Sequence, residues 1–90
     1  MINISDLWFT QRSLNRSHKI PDMIKYLNDN DEFVDPIELR LCSDGEIEIN
    51  NGHHRVTAIW RSGRRYLRRG EYIIWDTDDM KSRFYKFTAV

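Results

Sequence analysis

Two runs of alternating apolar and polar residues, separated by a turn, constrain the fold of this chain more than any other feature. Ile37-Glu38-Leu39-Arg40-Leu41 places an apolar side chain at every second position, and Glu46-Ile47-Glu48-Ile49-Asn50 repeats the alternation. This period is typical of half-buried β-strands, and Ser43-Asp44-Gly45 between the runs is typical of a tight turn. The pattern predicts a β-hairpin.

A helix is predicted on the N-terminal side of this hairpin, from Lys19 to about Asn30. Its apolar residues recur at the spacing of one helix face. They are Ile20, Met23, Ile24 and Leu27. Ser17 is the expected N-cap, Pro21 suits the first turn, and the cluster from Asn28 to Asp31 is the expected end.

A second helix is predicted directly after the hairpin. Val56, Ile59 and Trp60 follow residue 52 at helical spacing, and Gly63 supplies a stop signal. On this spacing Trp60 belongs to the core. The strand-to-helix transition therefore falls at Asn51-Gly52, with one of these two residues near the N-cap.

Shorter elements complete the predicted fold. Residues 2–4 and 72–75 suit strands, residues 80–90 fit either a helix or a strand, and residues 6–17 give no clear pattern. Ninety residues suit one hydrophobic core, so we expect a single domain spanning residues 1–90. The predicted class is α/β (α+β), with helices packed on a small mixed sheet.

The composition indicates a soluble cytoplasmic protein. Hydrophobic residues make up 40% of the chain, enough for a core, and no apolar run approaches the roughly 20 residues that span a bilayer. We therefore expect no membrane association. Cys42 is the single cysteine and cannot form an internal disulfide, which favours a reducing compartment.

The charges are segregated although the formal net charge is zero. Residues 22–48 carry nine acidic and two basic side chains, a net charge of −7. Residues 55–69 carry six arginines and no acid. The two segments either neutralise each other across the fold or leave a basic surface for nucleic-acid phosphate. Beyond Arg55, the candidate nucleic-acid contacts are Arg61, Arg64, Arg65, Arg68 and Arg69.

The stretch Asn51-Gly52-His53-His54-Arg55 permits three interpretations. Asn-Gly is a hairpin turn signal, but the helical pattern behind it favours a strand, a turn and then a helix. A metal site is disfavoured because adjacent histidines project about 100° apart on a helix. The only other histidine is His18, and Cys42 has no second cysteine, so we predict no metal site.

The third interpretation is an anion-binding corner. The start of a helix presents unpaired backbone N–H groups and the positive end of the helix dipole, and glycine allows an anion to approach the backbone closely. His54 and Arg55 would add side-chain donors, and an arginine can hold two oxygens at once.

The order of these features resembles a known family. It runs from Pro36-Ile37 through a strand, the Asp44-Gly45 turn and a second strand to the Asn51–Arg55 box, then to a helix with Ala58 and finally Gly63. This order is similar to the N-terminal domain shared by ParB-type partition proteins and sulfiredoxin, over roughly residues 2–75. The resemblance implies the same small α/β fold.

The resemblance also implies a nucleotide site. Members of the family bind ATP, CTP or ADP with the phosphates against this box. In this chain the resemblance implies that the nucleotide phosphates would contact Asn51, Gly52, His53, His54 and Arg55. Mg²⁺ would arrive with the nucleotide. The sulfiredoxin pattern needs a cysteine directly before His-Arg, where this chain has His53, so sulfiredoxin activity is not expected.

Catalysis is left open by the sequence. His53, His54 and Glu32 are candidate acid or base groups, and Asp35 is a further carboxylate. Nucleotide hydrolysis, phosphotransfer and nuclease action all remain possible reactions. Arg12 and Arg16 could form a second positive wall. Of the adjacent Trp8 and Phe9, one could cover a base, although packing is the more usual role.

Two other function classes compete with nucleotide binding. One is a stand-alone interaction protein, encoded by a phage or mobile element, that keeps the fold and modulates a host protein; Asn51, where many relatives have Asp, favours it. The other is a DNA-binding or nuclease domain, which the arginine run favours.

Overall fold

The computed structural model describes residues 1–14 and 17–87 and has an α+β fold. Within these residues the strands are β1 (Ile2–Asn3), β2 (Leu7–Phe9), β3 (Ile37–Cys42), β4 (Ile47–Asn51), β5 (Tyr66–Leu67), β6 (Tyr72–Thr77) and β7 (Tyr85–Lys86). The helices are α1 (Ile20–Asn30) and α2 (His53–Arg61), with short 3₁₀ turns at Ile4–Asp6 and Ser17–Lys19.

A five-stranded mixed sheet forms the centre of the molecule, in the order β6-β3-β4-β2-β7. β3 and β4 are antiparallel, with Leu39 opposite Ile49, which confirms the predicted hairpin. β6 lies parallel to β3, β2 lies parallel to β4, and β7 runs antiparallel to β2. β1 and β5 form a separate antiparallel ribbon.

The two helices pack together against one face of this sheet, where the core lies. Because strand side chains alternate, the apolar positions of β2, β3 and β4 all point to this face. The buried strand residues are Leu7, Phe9, Ile37, Leu39 and Ile49. The buried helix residues are Ile20, Leu27, Val56, Ala58, Ile59 and Trp60, so Trp60 is a core residue as predicted.

The other face of the sheet is crossed by the chain between β6 and β7. In this 78–84 segment, the Asp79 carbonyl accepts a hydrogen bond from Arg40 at 2.8 Å, and the Lys81 N–H donates to Glu48 at 3.1 Å. Arg83 forms an ion pair with Glu48, whose side chain is fully buried. The segment therefore supplies the counter-charge for a carboxylate at the centre of the sheet.

The helix boundaries agree with the sequence patterns except at the start of α1. α1 begins at Ile20 with Lys19 as its N-cap residue, and Ser17 belongs to the preceding 3₁₀ turn, so the predicted Ser17 N-cap was wrong. Pro21 lies in the first turn, where its missing N–H needs no partner. Asp31 closes the helix in the left-handed conformation, and Gly52 is the N-cap residue of α2.

Two strands were not predicted, and one prediction was left open. β2 lies inside the polar stretch 6–17, and β5 lies inside the arginine-rich segment. Residues 80–87 contain only the two-residue strand β7. The remainder of that prediction, residues 88–90, lies outside the described residues.

Candidate functional site

The junction between β4 and α2 is built around Gly52, which has φ +113°. L-residues with a side chain rarely adopt this conformation. A Cβ at this position would lie 3.2 Å from both Nη2 of Arg55 and Cγ1 of Ile37. The glycine is therefore required by its backbone angle and by the close approach of the Arg55 guanidinium.

Arg55 holds the start of α2 to the loop that precedes β3. Its Nη1 donates hydrogen bonds to the carbonyl oxygens of Asp35, at 2.7 Å, and Pro36, at 3.0 Å. A guanidinium has five N–H donors, so these two bonds leave others for a ligand. Arg55 is thus both a structural clamp and a fixed positive charge at the surface.

Arg55 also lines a surface groove between α1 and the loop at residues 33–35, which we call the α1 groove. Its cavity volume is about 440 Å³, within the range typical of small-molecule sites. The lining residues are Lys19, Asp22, Met23, Tyr26, Phe33, Val34, Asp35 and Arg55.

The α1 groove combines aromatic and charged groups. The rings of Tyr26 and Phe33 are parallel, with an interplanar angle of 3° and centroids 5.9 Å apart. Lys19 and Arg55 supply two cations, and Asp22 and Asp35 supply two carboxylates, so the formal charge of the lining is zero. An apolar aromatic surface bordered by separated charges suits a ligand with a flat ring and a charged tail.

His53 lies inside the protein. Its side chain is 2% exposed, and Nε2 accepts a hydrogen bond from the Thr10 N–H at 3.0 Å. The ring also makes an edge contact with Phe9. Burial, with smaller contributions from His54 and Lys81, lowers the pKa of His53 to about 4. The ring is therefore neutral at pH 7, carries its proton on Nδ1, and joins the end of β2 to the start of α2.

The other predicted site residues are spread around this junction. His54 is partly exposed in the first turn of α2. Asn51 is exposed, and its Nδ2 donates to the Glu38 carboxylate at 2.8 Å. Glu32 is exposed and does not line the α1 groove, whereas Asp35 does. The structure thus brings Arg55 and Asp35 together and separates them from the His53 imidazole.

Most arginines of the run at and after the end of α2 form ion pairs or ring contacts within the protein. Arg64 forms a two-pronged ion pair with Glu71, and Arg68 binds the carboxylate of Asp31. Arg65 lies over the Trp60 ring, 3.9 Å from its centroid, and donates to the Trp60 carbonyl. The remaining two members of the run, Arg61 and Arg69, are exposed.

Of the basic residues outside the Asn51–Arg55 box, Lys19 lines the α1 groove, and the sequence reasoning did not consider it. Arg12 stacks on Phe84, and it does not line the α1 groove; Arg16 lies outside the described residues. Lys19, at the N-cap of α1, occupies the corresponding place beside the groove. The available signal was a basic residue at the start of the first predicted helix.

Trp8 and Phe9 both have packing roles. Phe9 is buried and contacts the rings of Tyr85 and Phe87. Trp8 points to the opposite face of the sheet, where Nε1 donates to Glu46 at 2.8 Å and Lys86 lies 4.9 Å from the ring centroid. Neither residue lines the α1 groove.

Within residues 1–14 and 17–87, no group of three or more His, Cys, Asp or Glu side chains could hold a metal ion. In the same part of the chain, no helix has the length and apolar character needed to cross a membrane. Comparisons of the chain with protein-family models, with curated proteins and with solved structures found no match.

Proposed function

We propose that this protein is a nucleotide-binding module of ParB/sulfiredoxin type, with the α1 groove and the start of α2 as its site. The observation that carries the proposal is the position of Arg55, whose fixed guanidinium lies both at the α1 groove and at the start of α2. It borders the aromatic groove and lies beside Gly52, where α2 begins. The resemblance of the Asn51–Arg55 box to the family supports the same ligand class.

In the proposed complex the base packs on the aromatic surface of the groove. Tyr26 and Phe33 provide flat apolar area, and Met23 provides an adaptable side chain next to them. Stacking of this kind is sequence-tolerant because every base has a π-face. The groove therefore favours nucleotides as a class over free phosphate.

The phosphates meet Lys19 and Arg55, together with the backbone N–H groups that open α2. Asp22 and Asp35 balance the two cations, so the groove does not provide excess positive charge for a polyphosphate. Mg²⁺ bound to the nucleotide supplies that charge, since this ion is usually held by phosphates, waters and one or two carboxylates. We expect ATP or CTP to bind more tightly with Mg²⁺ than without it.

The proposal assigns binding and no reaction. The imidazole of His53 is buried against β2 and accepts its hydrogen bond from the backbone, so it does not face a ligand in the groove. A general base must come within hydrogen-bond reach of the proton that it removes.

The test is an NMR titration of the ¹⁵N-labelled protein with ATP, CTP, GTP and ADP, each with and without Mg²⁺. Saturable shifts should concentrate at residues 19–26, 33–35 and 52–56. Lys19→Ala should weaken binding about fivefold to tenfold, the loss of one charge-assisted contact at an exposed site. Lys25→Ala is the matched control, because this exposed lysine lies on the same helix and does not line the groove.

Three outcomes overturn the proposal. These are no response to any nucleotide at millimolar concentration, shifts spread over the arginine run instead of the groove, and equal weakening by Lys19→Ala and Lys25→Ala. The last two would indicate nonspecific attraction of phosphate to surface cations, which falls steeply with added salt.

A further inference from the structure

The two ends of the α1 groove differ, since one is aromatic and the other is cationic. On the wall formed by α1, Lys19, Asp22 and Tyr26 share one face of the helix, because they are spaced by three and four residues. A helix rises about 1.5 Å per residue, so Lys19 and Tyr26 lie about 10 Å apart along the axis, with Asp22 about midway. The Asp22 carboxylate therefore falls between a cation and an aromatic ring.

The opposite wall has the same order. The Phe33 ring stacks on Tyr26, so it belongs to the aromatic end. Tyr26 is the last residue of α1 that lines the groove, so the groove extends from the stacked rings toward Lys19. The carbonyl of Asp35, two residues after Phe33, accepts a hydrogen bond from Arg55 at 2.7 Å. Since an extended chain advances about 3.3 Å per residue, Arg55 lies on the cationic side of the rings.

The two carboxylates that line the groove lie at different levels. Asp35 lies at the cationic end, where Arg55 binds its backbone carbonyl. Asp22 is exposed and lies about one helical turn from both Lys19 and Tyr26. Among the residues that the structure describes, none forms a hydrogen bond or ion pair with the Asp22 carboxylate. Both of its oxygens are therefore available to a ligand.

The chemistry of a nucleotide leaves one group that suits a carboxylate at this level. An ionised carboxylate accepts hydrogen bonds and donates none, so its ligand must offer N–H or O–H donors. The amino groups of the base belong to the aromatic end of the groove, and phosphate oxygens are acceptors. The ribose lies between base and phosphates and carries neighbouring 2′- and 3′-hydroxyl groups. Hydrogen bonds from hydroxyls to a charged acceptor are short and strong.

We infer that Asp22 is a specificity-determining residue that accepts hydrogen bonds from the ribose hydroxyl groups, so that the α1 groove selects ribonucleotides over 2′-deoxyribonucleotides. The inference rests on the proposed nucleotide binding and adds a sugar contact to the base and phosphate contacts. A deoxyribonucleotide leaves one carboxylate oxygen without a donor. A site with a polar group placed for a ligand hydroxyl discriminates against the analogue that lacks this hydroxyl.

NMR titrations with ATP and CTP, and with the 2′-deoxy form of each, test the inference in the presence of Mg²⁺. The wild type should bind the ribonucleotide about tenfold more tightly, the effect of one hydrogen bond to a charged acceptor at an exposed position. Asp22→Ala should bring the two dissociation constants close to each other, because neither sugar then meets an acceptor. The ratio of the two constants is compared, since removing a negative charge can tighten the binding of both nucleotides.

Asp29→Ala is the matched control, because Asp29 is an exposed aspartate on the same helix and does not line the groove. This variant loses the same charge and should keep the preference for the ribonucleotide. In the wild type, the Asp22 backbone amide should shift more with the ribonucleotide than with its 2′-deoxy form. Unchanged amide shifts outside α1 and the groove establish that Asp22→Ala is folded.

The outcomes distinguish this inference from the proposed function. Equal binding of both sugar forms, or a preference for the ribonucleotide that survives Asp22→Ala, overturns the ribose contact and leaves the nucleotide module intact. Loss of the preference in Asp29→Ala as well would show a general effect of charge and would also overturn the contact. Absence of binding by either sugar form overturns the nucleotide module and the ribose contact with it.

Discussion

Gly52 is the residue whose replacement should disturb the α2 junction most directly. Gly52→Ala combines a strained positive φ with contacts from Ile37 and Arg55, and should lower the free energy of unfolding by about 2–3 kcal/mol. Urea unfolding measures the change. Gly45→Ala is the control, because Gly45 also has positive φ but open space around it, and should cost about 1 kcal/mol. Equal losses would show that the Cβ contacts contribute nothing.

His53 should make stability depend on pH. Its pKa is about 4 in the folded protein against an ordinary value of 6.5, so between these values the unfolded state binds more protons. The contribution of neutral His53 to the free energy of unfolding is fully present above pH 6.5. It is lost as the pH falls toward 4, by up to about 3 kcal/mol.

The matched variant for this effect is His53→Gln, which keeps an acceptor for the Thr10 N–H and does not titrate. Urea unfolding at pH 7, 6 and 5 should give a shallower decline for the variant than for the wild type. If the free energy of unfolding falls equally with pH in the variant and the wild type, the pH dependence comes from the carboxylates.

At the scale of elements, ion pairs hold the segment between α2 and β6, and they differ in how much they stabilise the fold. Glu71 is 6% exposed and accepts bonds from the Arg64 side chain and the Arg68 N–H, whereas the Asp31 side chain is 81% exposed. Glu71→Gln should therefore destabilise by about 2 kcal/mol, and Asp31→Asn should have a much smaller effect because its ion pair is screened by solvent. Thermal unfolding of both variants compares them, and a larger loss in Asp31→Asn would contradict this ranking.

Elements with strong local periodicity could be predicted, β1 and β6 were also predicted from short apolar runs, and β2 and β5 were not predicted. The β3–β4 hairpin and both helices repeat their apolar residues over several turns or pleats, so sequence alone reveals them. β2 has three residues, too few for a period, and its partners β4 and β7 are distant in the chain. β5 is hidden because its neighbouring arginines bind Glu71, Asp31 and Trp60 instead of solvent.

Some features of the candidate site could also be predicted from the sequence, and others could not. Gly52 and Arg55 are close in sequence, so the box was visible as a motif. The α1 groove joins Lys19 and Tyr26 to Phe33, Asp35 and Arg55, and no spacing rule brings these segments together. The burial of His53 was also hidden, because it depends on Thr10 and Phe9 from β2 and the residue after it, a region without a sequence pattern.

At the scale of the whole molecule, the 78–84 segment joins the two edges of the sheet across its face. Arg83→Ala should leave the Glu48 carboxylate buried without its counter-charge and destabilise the protein by about 3–5 kcal/mol. Asp44→Asn removes the other, more exposed partner of Arg83 and should destabilise the protein much less, because solvent screens that pair. Urea unfolding distinguishes the two, and a similar small loss in both would mean that Glu48 is solvated in the Arg83 variant.

This long-range ion pair also sets an order of events during synthesis. Arg83 follows Glu48 by 35 positions, which corresponds to roughly 2–7 s of translation at the usual elongation rate. Until then the β3–β4 hairpin can form locally, but the central strand carries a carboxylate that the folded sheet cannot bury unpaired. We therefore expect this face to stay hydrated in the ribosome-bound chain and the sheet to close only after Arg83 has been synthesised.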